Sequence, residues 1–216
     1  MFLTKYPRYK NITPKQVCFI SDYINWKNHP QAQNCTFKEW CGYNEYDVPL
    51  DAIEFYKSKM RTKYYMWDKE KKNPYKSFFT EIGYWRKANA VHQWFVENCQ
   101  NGVDDCGSYQ VDKSDIEDLL EICNTIKPSI TLIEKEAEVV IGYNREGQIK
   151  EKRKIKYIED SSICEELLPT QSGFFFGGTD YDEWYVQDID ETIEILEKVL
   201  TETDFENEIV FYQSSW

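Results

Sequence analysis

A chain of 216 residues with 41% apolar and 16% aromatic side chains holds enough hydrophobic material for a packed core, which excludes disordered, collagen-like and low-complexity classes. The formal net charge of −12 is uneven: +6 over residues 1–80, −3 over 81–158 and −15 over 159–216. Such a chain repels nucleic acid and anionic membrane over most of its surface, while its acidic end attracts a basic partner or simply keeps the protein soluble.

Residues 1–10 lack the apolar segment of a signal peptide, and no apolar run approaches the roughly 20 residues that span a bilayer. The seven cysteines are odd in number and none is spaced C-x-x-C. Free thiols in a reducing, cytosolic compartment are expected. Cys99 and Cys106 flank a turn and are close enough in sequence to pair.

Residues 1–46 read as irregular and aromatic. A helix is expected after Asp47, with Pro49 in its first turn and Ile53, Tyr56, Met60, Tyr64 and Trp67 as its apolar stripe. The basic, aromatic stretch 57–76 is the part of the chain best suited to nucleic acid, although nucleic acid is not the expected partner. A second helix is expected from about Glu81 to Gln100, ended by Asn101-Gly102. Its apolar arc contains Tyr84, Trp85, Ala88, Val91, Phe95, Val96 and Cys99, with His92 inside it. Arg86, Asn89 and Gln93 form a polar ridge, and Trp94 falls outside the apolar arc.

A third helix fits Asp112 or Ser114 to Ile126, stopped by Pro128, with Ile116, Leu119, Leu120, Ile122, Cys123 and Ile126 on its buried face. Residues 130–158 read as an inserted hairpin turning at Asn144–Gly147, with a base-rich return strand. A helical turn at 163–168, a strand at Gly173–Phe176, a turn at Gly177–Asp180 and a strand at Trp184–Val186 follow. An amphipathic helix over Ile189–Leu200 and a last strand over Ile209–Tyr212 complete the chain. Helices and hairpins in separate runs give an α+β fold, read as a single compact domain of amphipathic helices packed on short antiparallel strands.

Two segments are dense in chemistry. In residues 83–106, His92 suits a general base or ligand by type, but the centre of an apolar arc favours a hydrogen-bonded core histidine. An exposed Trp94 would mark an interface. Asp104 and Asp105 lie in a turn without the alternating oxygen ligands of a calcium loop. In residues 168–185, Gly177-Gly178 stands before Asp180 and Asp182, which would share one face of a strand. The arrangement resembles a nucleotidyltransferase two-metal site, but only Thr179 separates Gly178 from Asp180, too little for the strand or helix that chemistry needs. No Walker lysine, Gly-x-Ser-x-Gly elbow, zinc-ligand spacing or cysteine–histidine signature is present. No catalytic residue, metal or cofactor is therefore assigned.

The segments YWRKANAVHQWFV (84–96), with the tail QNGVDDC (100–106), and LPTQSGFFFGGTDYDEWY (168–185) resemble a family of bacteriophage and prophage proteins. The closing Asp204–Glu208 and Ser214-Ser215-Trp216 resemble that family's ending, whereas residues 1–80 and 130–158 carry no such likeness. The resemblance implies a phage context in a host cytosol and no activity or functional residue.

The leading expectation is an acidic accessory protein, more a binder than an enzyme, that engages and inhibits a host protein with a basic surface, such as a defence nuclease. Its mechanism would be to occupy a nucleic-acid groove through Asp188, Asp190, Glu191, Glu194 and Glu197. The alternative is a small-ligand or nucleotide site that combines Arg86, Asn89, Gln171, Ser172, Asp180 and Asp182, with or without a divalent metal, and it requires the two dense segments to meet; Gln93 and Trp94 belong to a partner-facing side of the same helix. A virion or assembly component is a third reading that no residue favours.

Overall fold

The computed structural model describes residues 1–8, 80–144, 147–173 and 177–214. The expected helix after Asp47, the basic 57–76 stretch, most of the irregular 1–46 region and the Phe174–Phe176 part of a proposed strand lie outside them. The described elements are β1 (Phe2–Pro7), β2 (Thr80–Tyr84), α1 (Asn89–Asn98), β3 (Ser108–Val111) and α2 (Lys113–Ile126). A short 3-10 turn (Lys127–Ser129) leads to β4 (Leu132–Asn144) and β5 (Gly147–Ile158), then α3 (Ser162–Leu167), α4 (Glu183–Glu202) and β6 (Glu208–Gln213). The fold class is α+β. The strands form a four-stranded sheet in the order β2-β1-β6-β3 and a separate two-stranded ribbon, β4-β5. Among the described residues no helix is long and apolar enough to cross a membrane.

The chain divides into two compact units: Met1–Phe2, Gly83–Glu202 and Tyr212–Trp216 in one, Leu3–Ile82 and Thr203–Phe211 in the other. In the second, Leu3, Tyr6, Ile209, Val210 and Phe211 are buried, and Tyr6 meets Phe211 edge to face at 5.3 Å. Lys5 pairs with Glu208 at 2.9 Å, and the Arg8 N–H donates to the Asn207 carbonyl at 2.6 Å.

The first unit carries the larger described core. Trp85, Phe95, Ile116, Leu119, Ile126, Leu168, Ile189, Leu196 and Tyr212 are fully buried there. α2 and α4 pack together, each placing an apolar stripe against the other: Ile116, Leu119, Cys123 and Ile126 on α2, and Tyr185, Ile189, Ile193, Leu196 and Val199 on α4. The Asp115 carboxylate accepts the Asp112 N–H at 2.7 Å, which fixes the start of α2.

The expected irregular start of the chain is instead strand over Phe2–Pro7, where pairing within the sheet supplies the order that the sequence pattern lacks, and three further expectations change. Residues 80–84 are strand rather than the first turn of a helix, and α1 begins only at Asn89. The cluster Ile82-Gly83-Tyr84-Trp85 suits either form locally, and pairing within the sheet decides it. Trp94 is 8% exposed, because α1 is covered on almost every side: Asn89, Ala90, Val91, His92, Trp94, Phe95 and Val96 are all buried. A helical wheel separates arcs but does not reveal a helix enclosed all round. Trp184–Val186 lies in the first turn of α4 and is not a strand. The end of α1 follows the sequence reading, with Asn101 (φ 54°) and Gly102 (φ 76°) left-handed and the Gly102 N–H returning to the Val96 carbonyl at 2.8 Å. The ribbon pairs antiparallel from Leu132↔Ile158 to Asn144↔Gly147, with one irregularity between Val140 and Gly142.

Candidate functional site

Asp182 opens α4. Its Oδ1 accepts the backbone N–H groups of Trp184 at 2.9 Å and Tyr185 at 3.3 Å, so this carboxylate caps the helix. The Tyr185 hydroxyl donates to the Leu168 carbonyl at 2.9 Å inside the core, which ties the 168–182 loop to α4. A second tie comes from α1. The Asn89 side chain, 5% exposed, donates through Nδ2 to the Gly178 carbonyl at 2.8 Å and accepts the Gln171 N–H through Oδ1 at 3.0 Å. Thr170 closes the loop on itself, donating through Oγ1 to the Thr179 carbonyl at 2.9 Å while its N–H reaches the Tyr181 hydroxyl at 3.2 Å.

These ties leave a cleft of about 600 Å3 within the first unit. Tyr84, Arg86, Lys87, Asn89 and Ala90 line it from the β2–α1 side, Thr170, Gly177, Gly178 and Asp180 from the loop, and Asp182, Trp184, Tyr185, Gln187, Asp188 and Glu191 from the start of α4. The two dense segments therefore meet. Arg86, Asn89, Asp180 and Asp182 of the composite site share one cavity with Asp188 and Glu191, which the acidic-partner reading had named. Asn89 spends its amide on the backbone of the opposing loop. Gln171 stands beside the site through its N–H, and Ser172 is exposed without lining the cleft. Gln93 bonds Glu97 at 2.7 Å, and neither it nor the buried Trp94 lines the cavity. Glu194 is exposed on α4 outside it.

Carboxylates dominate the lining. Burial pushes the Asp188 carboxyl up to about 7, with the charges of Glu191 and Asp182 adding to the rise. Burial also raises Asp182, against the two N–H groups it accepts, and Asp180 and Glu183 raise it further. The position of Asp182 as a helix cap corrects the expectation that Asp180 and Asp182 share one face of a strand. Trp184 is 65% exposed and Tyr84 55%. Tyr84, expected on the apolar arc of a helix, ends β2 instead and so points away from the core; for Trp184, the strand expected over 184–186 hides the cap signal of an aspartate just before an i, i+4 apolar run.

A second constellation surrounds His92, which is 1% exposed. Its Nδ1 is 2.6 Å from the Tyr212 hydroxyl and its Nε2 is 3.2 Å from Asp104 Oδ2. Phe95 stacks on Tyr212 with ring centroids 4.1 Å apart. The histidine is a hydrogen-bonded core residue, and Asp104, expected as a solvated turn residue, lies against its Nε2. Burial, with Asp104 and Cys99 nearby, holds the Tyr212 phenol above its usual range. Burial pushes the Cys99 and Cys123 thiols up to about 12, Cys99 also feeling Asp115 and Asp112, so both stay protonated at neutral pH. Cys99 and Cys106 are free rather than paired. Among the described residues no group of three or more His, Cys, Asp and Glu side chains is arranged to hold a metal ion.

Comparison with known proteins finds no matching family model, no matching curated protein and no matching solved structure.

Proposed function

We propose that this protein is an acidic binding protein that engages a basic protein partner, with the cleft between α1 and the start of α4 at the centre of its recognition surface. The observation that carries this reading is the meeting of Asp180, Asp182, Asp188 and Glu191 in one cavity beside two exposed aromatic rings. Glu194 and Glu197 extend the acidic surface along α4, and residues 159–216 contain a single basic side chain, Lys198. Such a surface attracts partners whose charge has the opposite sign and weakens with salt. In the phage setting that the resemblance implies, a host defence nuclease presents a groove of that chemistry, and occupying it would inhibit the nuclease.

The test is capture from bacterial lysate at low and high salt, with the natural chain and with Glu191→Lys, Glu194→Lys and Glu197→Lys combined. A nucleic-acid-binding protein held at low salt, released at high salt and missed by the reversed variant supports the reading. Equal capture by both chains overturns it.

A further inference from the structure

Four carboxylates line the cleft against two basic side chains, Arg86 and Lys87. The ion pairs of this unit lie elsewhere, as at Lys127–Asp190 (2.7 Å) and Lys113–Glu117 (3.1 Å). Asp188 is pushed up by burial and then by the charges of Glu191 and Asp182. The site is thus a built cavity holding a half-buried carboxyl that makes no ion pair with a described residue. Independently of the acids, two large aromatic rings stand in water at its mouth, Trp184 and Tyr84. An exposed indole attracts a cation through the negative face of its ring, and a desolvated carboxylate strengthens the same preference. A phosphate ligand would meet the opposite field, since the acids outnumber Arg86 and Lys87.

We propose that the cleft binds one organic cation, a guanidinium or primary ammonium group, through the carboxylates of Asp182, Asp188 and Glu191 and the ring of Trp184. The inference rests on the acidic-binding reading above and names what the cleft itself recognises. A volume of about 600 Å3 is of the size that encloses a small ligand and has room for one arginine or lysine side chain. The cation comes either from such a side chain on a basic protein or from a free polyamine. Binding is coupled to protons. Asp188 is faced by Glu191 on its own helix, by Asp182 at the helix cap, by Asp180 in the loop and by Arg86 and Lys87 across the cleft. A cation favours the ionised carboxylate, so it expels a proton from Asp188 below about pH 7, and affinity falls as the pH drops through that value.

Isothermal titration calorimetry of the full chain with Nα-acetyl-arginine amide, spermidine and AMP tests this. At least one cation binds and AMP does not. Trp184→Ala and Asp188→Asn each weaken the cation about tenfold or more. The apparent enthalpy at pH 6.5 depends on the buffer's ionisation enthalpy, as proton release requires. Capped arginine alone assigns the cation to a protein side chain, spermidine alone to a polyamine, and either supports the cleft. Should Asp188→Asn fail to fold, Glu191→Gln on the half-exposed helix face replaces it. AMP binding in preference to both cations overturns the proposal, as does a cation affinity indifferent to Trp184→Ala and to the carboxylate variants. Glu194→Lys with Glu197→Lys, both outside the cleft, separates the two readings. Capture of a basic protein lost in that variant, with no cation in the cleft of the natural chain, sinks the cleft alone. Spermidine binding with no basic protein captured sinks the protein-partner reading and leaves the cleft.

Discussion

The two walls of the cleft treat polar groups in opposite ways. On the α1 side, named buried polar groups are tied to the fold: Trp85 donates to Thr192 at 2.9 Å, Asn89 bridges Gly178 and Gln171, and His92 meets Tyr212. On the α4 side, Asp182 accepts the two N–H groups of its cap and Glu191 accepts from Gln187 at 2.6 Å, whereas Asp188 has no such donor among the described residues, and burial pushes its carboxyl up to about 7. A matched buried polar group stabilises the fold, whereas an unmatched one costs stability and stores attraction for something absent. The contrast teaches which wall is scaffold and which is surface for recognition.

The comparison breaks most severely at Phe95. It is fully buried, stacked on Tyr212 and in ring contact with Trp85 and Trp94. Phe95→Ala should cost about 3–5 kcal/mol in a denaturant titration, enough to threaten folding. Asn89→Ala removes both arms of the loop tie and leaves a carbonyl and an N–H without their partner. A loss of about 2–3 kcal/mol is expected, with faster proteolysis of the 170–180 loop as the local readout.

On the opposing wall the sign reverses. The Asp188 carboxyl has a higher pKa folded than unfolded, so its penalty is absent below about pH 4, grows as the pH rises and is complete above about 7. Asp188→Asn should therefore raise stability by about 1 kcal/mol at pH 8, a figure reduced for the solvent that reaches this half-exposed side chain, and by nothing at pH 4. Thermal unfolding at the two pH values checks it. Trp184→Ala should change stability by less than about 0.5 kcal/mol, because its ring is mostly in water. A large loss there would place Trp184 in the scaffold and erase the distinction between the walls.

The elements that a period of 3.6 or 2 can reveal were legible in the sequence. α2 with its stripe from Ile116 to Ile126 and the apolar face of α4 from Ile189 follow from side chains that alternate between core and water, the ribbon from its turn signal, and the last strand from an unbroken apolar run buried throughout. What escaped depends on tertiary surroundings. α1 is enclosed, so Trp94 carries no periodic sign of burial. Thr80–Tyr84 is strand because β1, beside it at the edge of the sheet, offers it hydrogen bonds. Of the candidate site, Arg86, Asn89, Asp180, Asp182, Asp188 and Glu191 were found by residue type and charge. Trp184, Tyr84 and Thr170 were not, since only the folded loop brings them to the same space.

One face of the β4–β5 ribbon behaves as a code that reads the same in two frames. There Glu134, Glu136 and Glu138 stand opposite Lys156, Lys154 and Lys152. A slip of two residues keeps every side chain on its face and sets the same glutamates opposite Lys154, Lys152 and Lys150. The ion pairs already run along that diagonal, Lys154–Glu134 at 3.5 Å and Lys150–Glu138 at 3.7 Å. On that face charge complementarity is degenerate, but on the other the slip sets Lys135 opposite Arg153, and the short turn from Asn144 to Gly147 would have to reform. The frame is also kept at the root, where Ile158 is 5% exposed and its N–H is held by the Tyr181 carbonyl at 2.8 Å. The ribbon therefore keeps its frame by three checks of different kinds, a buried root, a like-charge veto on one face and a tight turn, while the face of paired glutamates and lysines contributes attraction without register.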